Sequence, residues 1–123
     1  MAERKILWTV TDPRGLTISL AEDVWQSHLP YRPELASRLE QFRIAAQEPD
    51  VIYFDPDSTA DKTPGTKVYW YYKSVPLSGK FVGNWLAVVI KVVVESSNTR
   101  GGYVETVLLP HRVLKRLVLE WKK

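Results

Sequence analysis

The chain has no cysteine among its 123 residues, which excludes disulfides, thiolate metal sites and cysteine nucleophiles. Histidine is almost as scarce. Histidine is the side chain suited to acid–base work near neutral pH, and His28 and His111 are the two candidates present. No tight grouping of His, Asp and Glu is visible along the chain, which favours chemistry without a metal. The longest apolar run, Leu86 to Val94, is broken by Lys91 and is far too short to cross a bilayer. The first ten residues mix Glu3 with Arg4 and Lys5 and show no secretory pattern, so the expected compartment is the cytoplasm.

What is present is ordinary in bulk and uneven in detail. A hydrophobic fraction of 45% and a charged fraction of 25% suit a soluble globular protein, and the length suits a single domain over residues 1–123. The net charge is only +3, yet Arg112, Lys115, Arg116, Lys122 and Lys123 crowd the C-terminal end against Glu120 alone. Such an end can follow a phosphate backbone or simply be a solvated face.

Local patterns predict an α+β domain. Ile6–Thr11 has strand composition, Asp12-Pro13-Arg14-Gly15 is a good turn, and Leu16–Ile18 returns as a second strand of a short N-terminal hairpin. Ser19-Leu20-Ala21-Glu22 reads as a capping box that starts a helix at Leu20 carrying Val24, Trp25 and His28. Pro30 stops it. A second helix then runs from Pro33 to Pro49, with Leu35, Leu39, Phe42 and Ala46 on one face and Glu34 paired to Arg38 outside. An antiparallel sheet of about four strands follows: Val51–Phe54, Lys67–Val75, Trp85–Glu95 and Tyr103–Leu109. The Asp/Thr/Pro-rich stretch up to Gly65 reads as a mobile loop. Ser96–Gly102, with its Gly pair, reads as a hairpin connection. Pro110 opens a C-terminal helix with Val113, Leu114, Leu117, Val118 and Trp121 on its apolar face.

The order of these pieces resembles the phage-associated barnase–EndoU–colicin–RelE-like (BECR) nuclease domains. The resemblance covers about residues 16–115. It rests on Trp25-x-x-His28-Leu29, Arg32-Pro33-Glu34, Glu48-Pro49-Asp50-Val51-Ile52-Tyr53-Phe54-Asp55, Tyr71-Tyr72-Lys73, the valine strand and Val104-Glu105-Thr106. Members usually carry Arg-His-Pro-Glu where this chain has Tyr31-Arg32-Pro33-Glu34, so one proton shuttle is missing if Arg32 replaces that histidine. The Thr-Ala-Tyr common after the last strand is Thr106-Val107-Leu108 here.

The resemblance implies a metal-independent ribonuclease, toxin-like or phage-derived, that needs no cofactor and takes RNA as its partner. A 2′-hydroxyl would attack the adjacent phosphorus, with His28 as acid or base. Arg32, Lys73 and Lys91 would hold the developing charge, Thr106 would bond a phosphate oxygen, and Tyr69 and Tyr71 would stack bases. The alternative is a non-catalytic relative that binds RNA or a protein partner, an inhibitor included, through the Lys67/Tyr69/Tyr71/Lys73 sheet face. Each residue also has a purely structural explanation. His28 can offset a helix dipole, Trp25 can be core, Arg32 can pair with Glu34, and the Tyr/Lys stripe can be a solvated face. Thr106 is an ordinary strand former. Lys91 within a valine run is the sharper anomaly, because a buried lysine requires a partner.

Overall fold

The computed structural model describes residues 5–30, 33–57, 65–77, 79–95 and 98–123. Among these residues seven strands form one mixed sheet: β1 (Ile6–Thr11), β2 (Thr17–Ala21), β3 (Val51–Phe54), β4 (Thr66–Ser74), β5 (Trp85–Glu95), β6 (Asn98–Leu108) and β7 (Val118–Lys122). Their spatial order is β1-β2-β6-β5-β4-β3-β7, with β2 parallel to β6 and every other pair antiparallel. Two α-helices, α1 (Glu22–His28) and α2 (Leu39–Gln47), pack against one face. This corrects the expected α+β arrangement of two helices, a four-stranded sheet and a closing helix. The domain is mostly sheet.

The predicted C-terminal helix is the largest difference. Residues 109–117 cross the sheet without regular structure, and Val118–Lys122 pairs with β3 as an edge strand. A short apolar stripe does not by itself distinguish helix from strand. Here the open edge of β3 offers a ladder of unpaired backbone groups, and β7 fills it. The stripe is divided accordingly: Leu117, Leu114 and Val113 pack on one face, whereas Trp121 joins the core on the other.

Three smaller differences have equally local causes. Ser19 is not a helix cap, because it lies inside β2 and its hydroxyl bonds that of Thr9 at 3.0 Å. The strand passes straight into α1 through Ala21, and Glu22 N–H is satisfied by Lys5 C=O at 2.8 Å. The long second helix is broken into a 3₁₀ turn at Pro33–Leu35 and then α2, with Arg38 bonded to Gln41 rather than to Glu34. Gly101 and Gly102 lie within β6, not in the hairpin turn. The expected loop at 58–64 lies outside the described residues.

The sheet has two distinct faces. On the inner face Leu86, Val88, Ile90 and Val92 of β5 meet Trp25, Leu35, Phe42, Ala45 and Ala46 from the helical side, all buried. Trp25 meets Phe42 edge-on, with centroids 6.2 Å apart. Removing a ring such as that of Phe42 would cost about 3–5 kcal/mol. The outer face carries Tyr53, Trp70, Tyr72, Trp85 and Ala87, over which residues 109–117 run. The sheet also curls, since Arg14 in the β1–β2 turn comes within 3.9 Å of Glu120 on β7, at the opposite end of the strand order.

β6 approaches the backbone of both its neighbours, β2 and β5, closely. A Cβ at Gly101 would stand 2.5 Å from the Thr17 carbonyl oxygen, and one at Gly102 would stand 2.7 Å from that of Lys91. Both obstacles are backbone and cannot turn aside. We therefore expect Gly101→Ala and Gly102→Ala each to destabilise the fold by about 1–3 kcal/mol, read from the midpoint of urea unfolding.

Candidate functional site

The outer face brings two of the sequence candidates together. Along β5, residues alternate between faces, so Ala87, Val89 and Lys91 point away from the helices. Lys91 is half-buried and stands opposite Val68 on β4 and Tyr103 on β6. It therefore lies outside the inner core, which accounts for a lysine within a valine run. Thr106 is opposite Val89, and its neighbour on that face, Leu108, is opposite Ala87. Lys91, Thr106 and the half-exposed Tyr103 thus share one surface on two adjacent strands.

One end of that surface is closed by the C-terminal crossing. Arg116 bonds the carboxylate of Asp55, which has no exposed surface and also accepts the Trp70 indole N–H at 2.9 Å. Asp55 N–H in turn bonds Val68 C=O at 2.9 Å, which places this ion pair in the same row of the sheet as Lys91. Beneath the crossing, Tyr72 stacks on Trp70 and meets Tyr53 and Trp85 edge-on, at 5.7–6.0 Å between centroids. Burial, assisted by Tyr53 and Asp55, pushes the Tyr72 hydroxyl up to about 12.

The other candidates are elsewhere. Tyr69 and Tyr71 are buried on the inner face, so the stripe expected to stack bases is not open to solvent. Its burial follows from the β1–β2 turn folding over β4. Tyr71 O–H donates to Asp12, and the Arg14 guanidinium lies 4.5 Å from the Tyr69 ring centroid. Lys73 is engaged at the end of α2, donating to Glu48 C=O at 2.8 Å with Asp50 3.9 Å away. His28 is the last residue of α1, on the helix-packed side, and its side chain lies outside the described structure. Arg32 lies outside the described residues. The described candidates therefore do not gather in one cleft.

Two groups that the sequence reading left as turn residues are central. Asp12 is buried and accepts N–H bonds from Arg14 and Leu16, each at 2.8 Å, besides the Tyr71 hydroxyl. Burial and the bond to Asp12 hold the Tyr71 hydroxyl well above the usual tyrosine range. A pocket of about 470 Å³ adjoins this corner, with Thr11, Asp12, Gln47, Glu48, Trp121 and Lys123 in its wall. Asp12 and Asp55 look like ordinary turn acids in sequence. Only the aromatic strand brought over them makes them interior groups.

Among the described residues no cluster of three or more His, Asp or Glu side chains is arranged to hold a metal ion. None of the described helices is long and apolar enough to cross a membrane. No family model, no curated protein and no solved structure matches this chain.

The Tyr72 hydroxyl makes stability pH-dependent at the alkaline end. Its unfolded value is 10.0 and its folded value about 12, so the folded form keeps a proton that the unfolded form releases. Stability is then fully present below pH 10 and declines as the pH rises toward 12. Thermal unfolding across this range should show a falling Tm. Tyr72→Phe should make the fall shallower without abolishing it, because Tyr71 shares the same direction.

Proposed function

We propose that this chain is a metal-independent ribonuclease domain of the BECR-like class, working in the cytoplasm on RNA. One observation supports this reading above the others: Lys91 and Thr106 share the outer face on adjacent strands, offering a cation and a hydroxyl to one phosphate. Lys91 offsets the charge that grows on the phosphorane oxygens as a 2′-hydroxyl attacks. Thr106 bonds a phosphate oxygen, whereas His28, at the end of α1 on the helix-packed side, lies across the sheet from this face and is given no proton transfer at it. Arg32, which stands where the resembling nucleases carry a histidine, adds charge rather than a proton shuttle. Tyr69, Tyr71 and Lys73 have no part in it. The aromatic binding face of the alternative reading is taken up by the inner core.

The test is cleavage of mixed single-stranded RNA in EDTA. The wild-type protein should cleave, and Lys91→Met should lose roughly 100-fold or more in rate. Thr106→Val should lose less, and both should keep the wild-type circular dichroism. Absence of cleavage by the wild type on any RNA tried, or full activity in Lys91→Met, would remove the proposal.

A further inference from the structure

A second cationic arrangement occupies the inner side of the sheet, at the β1–β2 turn. Arg14 is anchored along one edge of its guanidinium, where Nη2 donates to the Tyr71 hydroxyl at 3.1 Å and Nε stands 3.5 Å from the Asp12 carboxylate. Its plane is held against the Tyr69 ring. Burial works against the charge, but Tyr71, Asp12 and Tyr69 together outweigh it and keep Arg14 cationic. The end of the fork at Nη1 is different. Among the described residues the closest carboxylate to it is Glu120 at 3.9 Å, beyond hydrogen-bond reach.

That end opens into a pocket of about 300 Å³ walled by Arg14, Leu16, Lys67, Tyr69 and Glu120. Lys67 is exposed, with its ammonium 6.0 Å from the Phe54 ring. The wall thus carries two cations and one acid, and the cations differ in kind. Arg14 is a rigid, preoriented planar donor, whereas Lys67 is a mobile point charge. A carboxylate ligand would be matched by the arginine alone. A phosphate group, with more charge and acceptor oxygens on several sides, can use both. The Tyr69 ring is already covered by Arg14, so no aromatic face remains for a base.

We infer that this pocket binds a phosphate group through Arg14 and Lys67, with Glu120 acting as the competing internal anion. Recognition is of the phosphate itself, whether it is free or the terminal group of a nucleotide. The pocket shares no residue with the Lys91/Thr106 face, so either assignment can fail without the other.

Amide and Arg side-chain NMR spectra of the full chain, titrated with inorganic phosphate and separately with adenosine monophosphate, test the inference. Chloride at matched ionic strength is the control. Saturable shifts should centre on Arg14, Gly15 and Leu16, with a Kd of about 1 mM or tighter. Lys67→Gln should weaken binding about three- to tenfold and Glu120→Gln should tighten it by a similar factor, since each changes one charge at the ligand. Both substituted positions are on the surface side of the pocket, so folding is retained while Arg14 keeps its anchor. Equal affinities for the two probes would identify free phosphate as the ligand, and tighter binding of the nucleotide would identify nucleotide phosphates. Shifts that follow ionic strength alone, or binding indifferent to both substitutions, would overturn the inference.

Discussion

The carboxylate of Asp12 has no exposed side-chain surface, and an unpaired buried charge is among the costliest features a fold can carry. Two backbone N–H groups, the Tyr71 hydroxyl and the nearby Arg14 guanidinium compensate it. These partners come from a turn at one end of the strand order and from a strand in its middle. Satisfying the acid therefore requires the sheet to curl and bring the hairpin across β4. The inner core, the position of α2 and the approach of Arg14 to Glu120 all follow from that closure. Removing one partner would leave the others desolvated, so this network is worth more to the fold than any single bond in it.

The outer face repeats the device with different parts. Asp55 is again a fully buried acid, here held by Arg116 and the Trp70 indole, and it ties down the segment between β6 and β7. Asp55 is buried while Arg116 keeps 39% of its side chain exposed, so losing Arg116 would leave the buried carboxylate short of a countercharge and loosen the C-terminal crossing. Because Asp55 sits in the row of Val68 and Lys91, the same contact bounds the surface on which Lys91 and Thr106 stand. The crossing covers Tyr72, and beyond it Val68 and Val89 are buried beside the half-buried Lys91 and Thr106.

Much of the local structure was legible because its signals are local. The Asp12-Pro13-Arg14-Gly15 turn, the strands around Tyr53, Trp70 and Val89, and the burial of Trp25 and Phe42 depend on neighbours a few residues away. The Ser19 capping box was misleading because strand pairing with β6 took that residue first. The C-terminal stripe was misleading for a similar reason, since an unpaired β3 edge outweighs a weak helical period. At the site, Lys91 stood out correctly as an anomaly. The Tyr69/Tyr71 stripe was misread because alternation shows that residues share a face and says nothing of what covers it.

The sequence by itself determined the chemical inventory: no thiols, two histidines, a lysine within a valine strand, and enough aromatic and β-branched residues to build a sheet. It also marked the Asp12–Gly15 turn, though not the β5–β6 connection, since Gly101 and Gly102 lie within β6. Tertiary structure alone decided which acids are buried, which face the helices cover, that Lys91 and Thr106 share the other face, and that residues 118–122 form a strand. The physical reason is range. Turns and periodicity are set by steric and hydrogen-bond preferences within a few residues, whereas burial and strand partnership are settled between segments as distant as Asp12 and Tyr71 or Asp55 and Arg116.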